Sequence, residues 1–403
     1  MKGILEAGRH PAAHIVFWLN EPSPHLSSWL RAVAASEGVR ATVIVECDRS
    51  PARQALGFPV PNLSRSKVIV CQDPASIPGL IRDMEGAAVH VIGGMRGTPL
   101  AERVLPELAR RRTRIGIISE AAGGVGWRGL LRRHLYRREW ARFAAAVDFV
   151  LAMGSYGVDW FAQCGCSREK LFPFTYVTER HARSELAPAQ TGPSSLVYVG
   201  RFVARKGLDI FLEALARLQH LDWVLTMIGT GPFEEKLRRL VGARGLSKRV
   251  RFMGPLENQA AITEISRSDL LVLPSRHDGW GAVVNEALME GVPVICSDCC
   301  GARDLLAEPW RGEVFAAGSA ASLREVLEKW IPTRRTAAVT ERIRQWSSCI
   351  EGDSLAAYFR AILDSVYGGR PRPTPPWLCP DRENSIGPSS LLKWTDLPEA
   401  ILS

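Results

Sequence analysis

Apolar and polar positions alternate in the same way along both halves of the chain. In the first half, short continuous apolar runs predict strands at residues 15–19, 41–45, 67–70, 88–92, 114–118 and 149–152. In the second half, similar runs predict strands at residues 196–199, 223–228, 250–253, 270–273 and 294–296. Amphipathic segments between them predict helices at residues 26–36, 100–111, 233–240, 258–266 and 285–289. Because apolar strands separated by helices are typical of parallel sheets buried on both faces, we expect an α/β protein with two doubly wound, Rossmann-like units.

The same pattern predicts where the domains end. A chain of 403 residues is too long for one ordinary core, so we expect a first domain at 1–187 and a second at 194–350. Residues 188–193 contain two prolines and indicate a linker. An amphipathic helix is predicted within 351–367. The segment 368–403 is rich in proline at its start, and we expect it to be extended or partly disordered.

Candidate chemistry is concentrated where the predicted strand at 270–273 meets the next helix. The connecting loop carries Gly279 and Gly281, and two acids, Asp278 and Glu286, stand eight positions apart. Glycines at the start of a helix let backbone N–H groups approach a phosphate, and the helix dipole favours the anion. Ionised carboxylates can accept several hydrogen bonds from sugar hydroxyls. An ordinary strand, loop and helix with solvated acids would show the same short pattern.

A second cluster follows the predicted strand at 196–199. Gly200 and Arg201 open a turn that Lys206 and Gly207 close, just before a helix that begins near residue 208. The planar guanidinium of Arg201 and the compact charge of Lys206 suit a diphosphate. Surface solubility is the alternative for both side chains. We expect both to be exposed in an open cleft.

Together the two clusters resemble the motifs of family-4 retaining glycosyltransferases, group 1 enzymes with the GT-B fold. Glu286 matches the second Glu of the family's Glu-x7-Glu signature, which holds the nucleotide ribose. Asp278 stands where the first Glu faces the donor sugar, so its reach is shorter by one methylene. Arg201 and Lys206 match the Gly-Arg…Lys-Gly element that clamps the donor diphosphate.

The resemblance implies a reaction and a set of donor contacts. A hexose would move with retention from a nucleotide-diphosphate sugar to a hydroxyl of a glycan or lipid-linked acceptor, in cell-surface polysaccharide biosynthesis. No cofactor or metal is expected, because the two cations and the glycine loop would stabilise the leaving diphosphate. The loop after the strand at 250–253 would receive the base. The implied donor-binding residues are Gly200, Gly254, Pro255, Leu256, Gly279, Trp280, Gly281 and Ala282.

The first half matches the family only in its pattern of elements. The resemblance places the acceptor there, and it makes the helix at 351–367 cross back to this domain. The usual glycine-rich turn is replaced by residues 20–25, and the usual His after the fifth strand is replaced by Ser119-Glu120-Ala121. Glu120 or His25 could take the missing polar role. Either could instead be structural, Glu120 as an acid at a helix N-terminus and His25 as a loop histidine.

The formal charge of +9 raises the question of an anionic partner. Nucleic acid is not expected, since no recognition motif is present and the aromatic residues are not interleaved with basic ones. Within residues 127–143, Leu131, Leu135 and Phe143 fall near one helical face. The arginines around that face are Arg132, Arg133, Arg137 and Arg138. They suit an anionic membrane surface or a lipid-pyrophosphate acceptor. The alternative is an apolar stripe packed on the sheet, with the arginines facing water.

The sequence also bears on the compartment. No apolar run approaches the roughly 18 residues of a membrane span, and the N-terminus lacks the apolar core of a signal peptide. The chain has nine cysteines, an odd number that leaves at least one unpaired. Their positions do not have the four-ligand spacing of a zinc site. We therefore expect reduced thiols in the cytoplasm, with the protein peripheral on the inner face of the cell membrane. Two other functions stay open: a catalytically dead nucleotide-sugar-binding protein, and a nucleotide-sugar hydrolase or epimerase of the same fold.

Overall fold

In the computed structural model, which describes residues 13–49, 60–123, 126–179 and 192–379, the first half forms a seven-stranded parallel sheet. Its strands are β1 Ala13–Leu19, β2 Val39–Val45, β3 Lys67–Val70, β4 Val89–Gly93, β5 Ile115–Ser119, β6 Val147–Met153 and β7 Leu171–Phe174. The described helices around it are α1 Ser27–Ala35, α2 Ile77–Asp83, α3 Pro99–Arg110, α4 Gly126–Phe143 and α5 Gly154–Gln163. The strand order is β3-β2-β1-β4-β5-β6-β7. The order reverses between β1 and β4, and ligands of doubly wound sheets bind outside the carboxyl ends of strands at such a point.

The second half forms a six-stranded parallel sheet. Its strands are β8 Ser194–Val199, β9 Trp223–Ile228, β10 Val250–Gly254, β11 Leu270–Leu273, β12 Val294–Ser297 and β13 Gly312–Phe315. Its helices are α6 Leu208–Ala216, α7 Glu234–Ala243, α8 Asn258–Ser266, α9 Val283–Met289, α10 Ala320–Trp330 and α11 Ala337–Ser347. The order is β10-β9-β8-β11-β12-β13, which again reverses at the first strand of the unit. The predicted pair of doubly wound units is confirmed.

Burial explains why the strands could be predicted from continuous apolar runs. All seven residues of β1 and all four of β11 are buried, because helices cover both faces of each sheet. Two strands that the pattern did not predict, β7 and β13, lie at the sheet edges. β7 contains Pro173, which cannot donate a ladder hydrogen bond and is tolerated at an edge. β13 begins with Gly312 and carries Glu313, so its apolar run is broken.

The last helix, α12 Gly352–Gly368, packs on the first domain. A Cβ on Gly352 would lie 2.5 Å from the carbonyl oxygen of Ser28, so glycine lets α12 approach α1 closely. The ring centroids of Phe359 and Trp29 lie 5.2 Å apart. The segment after α12 continues along the same domain, where Trp377 is buried and Arg372 donates to the backbone of β7. Residues 380–403, the rest of the predicted tail, lie outside the described residues.

The two domains also contact each other directly. Ser155, at the start of α5, donates its N–H and its hydroxyl to the carboxylate of Asp304 in the second domain. The Tyr156 hydroxyl lies 3.3 Å from Nδ1 of His277. The carboxyl ends of both sheets therefore meet at one cleft.

Two further observations concern the environment of the protein. All nine cysteines lie in the described part of the chain, and each is a free thiol. Over the same residues, we find no helix with both the length and the apolar character needed to cross a membrane.

Candidate functional site

Lys206 and Asp278 bring the two sequence clusters together at the cleft. The Lys206 ammonium group forms an ion pair with Oδ2 of Asp278, which also accepts a hydrogen bond of 3.2 Å from the Ser275 hydroxyl. Nη1 of Arg205 lies 3.7 Å from Oδ1 of the same carboxylate. Gly207 allows this meeting: its φ is 67°, and a Cβ there would lie 2.0 Å from the carbonyl oxygen of Pro274. One carboxylate and two cations therefore share one point of the cleft.

The two predicted clamp residues differ in their surroundings. Arg201 is exposed, as predicted, and within the described part of the chain its guanidinium has no hydrogen-bond partner. The prediction that Lys206 is also exposed was wrong, because its side chain is only 13% exposed and is held by Asp278. Arg201 can thus meet an anion directly, whereas Lys206 must first leave or share its carboxylate partner.

Glu286 lies on α9 beside the loop that was predicted to receive the base. Its Oε1 accepts a hydrogen bond of 3.3 Å from the amide of Asn258, four residues beyond Gly254. Burial raises the pKa of the Glu286 carboxyl to about 7, although the Asn258 hydrogen bond opposes the increase. In this loop Pro255 is exposed and Leu256 is half-buried. The structure therefore places Glu286 next to the loop that follows β10, and its carboxyl titrates near neutral pH.

The glycine loop between β11 and α9 is held in place by a buried tryptophan. The Trp280 ring is fully buried, and its indole N–H donates to Oδ1 of Asn285 at 2.7 Å. Gly281 has a φ of 96°, and Ala282 is the residue before the first turn of α9. Trp280 therefore helps to fix the shape of the loop, in which residues 279–281 are all buried.

Glu120 comes from the first domain and reaches the same loop. It follows β5, and its Oε1 accepts a hydrogen bond from the hydroxyl of Tyr176. A Cβ on Gly279 would lie 2.1 Å from Oε2 of Glu120, so the carboxylate packs on the backbone of the glycine loop. Burial raises the pKa of Glu120, the Tyr176 hydrogen bond lowers it, and Asp278 raises it. The other candidate, His25, instead packs against the Tyr176 ring at a tilt of 30°, with 5.5 Å between the ring centroids.

A cavity of about 260 Å³ opens beside Glu120 at the point where the strand order of the first sheet reverses. Its polar lining residues are Asn20, Glu21, Ser23, Arg96, Thr98, Ser119, Glu120 and Tyr176. The cavity therefore offers both hydrogen-bonding and apolar groups next to the glycine loop.

Three of the four α4 arginines that were predicted to meet an anionic surface are exposed, namely Arg132, Arg137 and Arg138, whereas Arg133 is half-buried. Arg132 donates to the carbonyl of Gly123, and Arg133 and Arg137 donate to the side chain and backbone of Gln163. The three apolar residues predicted to share a face differ in burial, since Phe143 is buried, Leu135 is half-buried and Leu131 is exposed.

The start of α4 instead presents a cluster of exposed apolar side chains. Trp127, Leu130 and Leu131 are 70%, 62% and 51% exposed. Their i, i+3, i+4 spacing puts them on one side of the helix.

The sequence analysis did not select three residues of the site. Arg205 stands inside the clamp motif, where its charge is the available signal, and Asn285 stands directly before Glu286. Tyr176 belongs to no motif, and its hydrogen bonds to Glu120 and Asn285 join residues 56 and 109 positions apart. Within the described part of the chain, no group of three or more His, Cys, Asp or Glu side chains is placed to hold a metal ion.

Comparison with known proteins defines the class of the fold. The structure of Anabaena Alr3699/HepE in complex with UDP matches with a TM-score of 0.65 and 16% identity, over 85% of this chain and 96% of that one. A likeness at this level of identity shows the fold alone. Two Rossmann-like domains with their strand ends facing one cleft form the GT-B fold, as predicted.

The sequence match concerns the second half of the chain. Residues 182–346 match the family model described as glycosyl transferases group 1. The α-D-kanosaminyltransferase of Streptomyces kanamyceticus is 30% identical over 175 residues, which are 41% of this chain and 45% of that protein. The GDP-mannose-dependent monoacylated α-(1-6)-phosphatidylinositol monomannoside mannosyltransferase of Corynebacterium glutamicum is 30% identical over 200 residues, 47% and 51% of the two chains. The chain spans about half the length of the curated relatives it matches.

Proposed function

We propose that the protein is a retaining glycosyltransferase that moves a hexose from a nucleotide-diphosphate sugar to a hydroxyl of a glycan or lipid-linked acceptor, without a metal ion. The observation that carries the proposal is the meeting of Lys206, Arg205 and Asp278 at the cleft, with Arg201 exposed on the same loop. Cations beside an acid that can hold sugar hydroxyls match the needs of a nucleotide-sugar donor.

The ion pair between Lys206 and Asp278 indicates how the donor would be received. A diphosphate is a better partner for Lys206 than one carboxylate, because it offers more anionic oxygens. When the donor binds, Lys206 would turn to the diphosphate and free Oδ2 of Asp278 to accept hydrogen bonds from the sugar. Ser275 keeps the Asp278 carboxylate in place during this exchange. Glu286, beside the base loop, would accept hydrogen bonds from the ribose.

Transfer then needs stabilisation of the leaving group. The bond between the anomeric carbon and the diphosphate oxygen breaks, and its electron pair leaves with the diphosphate. The acceptor oxygen bonds to the same face of the sugar, and its proton passes to the departing phosphate oxygen. Arg201 and Lys206, with the backbone of the glycine loop, would neutralise the charge that develops on the diphosphate.

The acceptor would occupy the cavity beside Glu120. Its lining of amide, hydroxyl, carboxylate and guanidinium groups suits an acceptor rich in hydroxyls. The mannosyltransferase relative is named for a phosphoinositide acceptor, which supports a lipid-linked glycan here as well.

We also propose that the start of α4 places the protein on an anionic membrane, from the cytoplasmic side. The support is the exposed cluster of Trp127, Leu130 and Leu131, followed on the same helix by the exposed Arg138. Apolar side chains that enter the headgroup region and arginines that meet anionic lipid together give interfacial binding.

A panel of nucleotide sugars tests the function. UDP-glucose, UDP-galactose, UDP-N-acetylglucosamine and GDP-mannose are titrated by calorimetry, then incubated with a membrane-lipid extract and with EDTA present. We expect one donor to bind and to release its nucleoside diphosphate only when the acceptor extract is added. Binding without transfer would instead indicate a dead binding protein. Free sugar produced without acceptor would indicate a hydrolase.

A further inference from the structure

Tyr176 contacts both domains at the point where the chain passes from one to the other. It follows β7, and its hydroxyl donates to Glu120 in the first domain. Its carbonyl oxygen accepts a hydrogen bond of 2.8 Å from the side-chain amide of Asn285 in the second domain. One residue therefore connects the acid beside the acceptor cavity with helix α9.

The second-domain end of this connection is fixed. Asn285 is fully buried, and its amide oxygen accepts the indole N–H of Trp280 at 2.7 Å. The Trp280 ring also lies edge-on to the Tyr176 ring, with 6.2 Å between centroids. Glu120 packs on Gly279, the residue before Trp280. The contacts of Glu120, Tyr176 and Asn285 therefore form a closed ring that begins and ends at the glycine loop.

We infer that Tyr176 is a positioning residue that holds the Glu120 carboxylate between the glycine loop and the cavity beside it. In this position the carboxylate would accept a hydrogen bond from a hydroxyl of the acceptor substrate. The inference rests on the proposed transferase function. A buried acid is a stronger hydrogen-bond acceptor when it is ionised, and a phenol that donates to it favours that form.

The charges around Glu120 decide when it is ionised. Burial raises its pKa, and the Tyr176 hydroxyl is the largest opposing influence. Asp278 raises the pKa further, whereas Arg205 and Lys206 lower it. The other titratable groups that line the cavity are Glu21 and Arg96. Loss of the Tyr176 hydroxyl should therefore leave Glu120 protonated up to a higher pH.

A stability measurement tests the contact without any substrate. Tyr176→Phe, Glu120→Gln and the double variant are unfolded in urea between pH 5 and pH 9. The folded pKa of Glu120 is raised, so it is protonated at low pH, where the missing phenol matters least. We expect the loss of stability in Tyr176→Phe to grow as pH rises, and this growth to disappear in the Glu120→Gln background. An equal loss at every pH in both backgrounds would overturn the inference.

Tyr358→Phe is the matched control. Its hydroxyl is also buried and donates to the carbonyl of Pro173, in the strand that leads to Tyr176. This variant should lose stability without any dependence on pH, because its acceptor does not titrate.

The pH–rate profile tests the role in transfer, with whichever donor of the panel is active. In Tyr176→Phe the acid limb of kcat should move up by about one pH unit, as expected for a lost hydrogen bond to a charged group, with nucleoside diphosphate affinity unchanged. Glu120→Gln should remove this limb, and Tyr358→Phe should leave it in place. An unmoved limb in an active Tyr176→Phe would overturn the inference but not the transferase function. If no donor is active, the stability measurement still decides whether Tyr176 serves Glu120.

Discussion

Replacing Glu286 with Gln should stabilise the protein and weaken nucleotide binding at the same time. The pKa of the Glu286 carboxyl is raised from 4.5 to about 7 by burial. The fold thus favours the protonated form of Glu286. The free energy of unfolding that this form contributes is fully present below pH 4.5 and is lost as pH rises through 7. A glutamine resembles the protonated acid at every pH, so it keeps that stability.

The size of the effect follows from the two pKa values. Each pH unit between them is worth about 1.36 kcal/mol, so Glu286→Gln should gain up to about 3 kcal/mol at pH 8 and less than about 1 kcal/mol at pH 5. In a domain of 150–250 residues, about 1 kcal/mol shifts Tm by roughly 2–4 °C. We therefore expect Tm to rise by several degrees at pH 8 and to change little at pH 5.

Nucleotide binding should change in the opposite direction. The proposed ribose contact is a hydrogen bond to a charged acceptor, worth about 1.5–3 kcal/mol, so the Kd for the nucleoside diphosphate should rise roughly 10- to 150-fold at pH 8. In the unmodified protein the same affinity should weaken as pH falls below 7, since protonation removes an acceptor. This pH dependence should be absent in the Gln variant.

Thermal unfolding and calorimetric titration at pH 5 and pH 8 check both effects. Glu235→Gln is the control, because that side chain is 83% exposed on α7. It should alter neither quantity. A lower Tm at pH 8 in Glu286→Gln would refute the burial argument, and unchanged nucleotide affinity would refute the ribose contact.

Three further predictions address the clamp, the sugar and the membrane. Lys206→Ala should lower kcat/KM, with a loss of about 2–4 kcal/mol of transition-state stabilisation. It should also lower Tm, because it leaves the buried Asp278 carboxylate without its ion-pair partner. Arg201→Ala should lower kcat/KM in the same way without lowering Tm. Equal Tm changes would contradict this difference. Asp278→Asn should spare nucleoside diphosphate binding in calorimetry while lowering the turnover of the sugar donor, and a parallel loss of both would show that Asp278 does not serve the sugar. Changing Trp127 and Leu130 to Ser should abolish flotation with acidic liposomes at low salt; failure of the unmodified protein to float would remove the membrane proposal.

The sequence could predict those features that depend on neighbouring residues. The strands of both sheets are continuous apolar runs because helices bury both faces, as β1 and β11 illustrate. The residues of the clamp and of the glycine loop could be selected because each motif lies within one strand, turn and helix. The edge strand β7 was missed because Pro173 interrupts its pattern.

The remainder of the site depends on contacts between distant parts of the chain. The largely buried side chain of Lys206 follows from its ion pair with Asp278, 72 residues later. Tyr176 acquires its position from Glu120 on one side and from Asn285 on the other, and neither pairing has a local pattern. The sequence left both Glu120 and His25 as candidates for the missing polar role in the first domain. The structure places Glu120 against the glycine loop.

The configuration of the product tests the central proposal most directly. The active nucleotide sugar is incubated with enzyme and acceptor, and the new anomeric proton is followed by NMR from the first minutes. We predict a new glycosidic bond with the anomeric configuration of the donor, formed with EDTA present and lost with Lys206→Ala. An inverted product, or free sugar without a new glycoside, would contradict the proposal of a metal-independent retaining transferase.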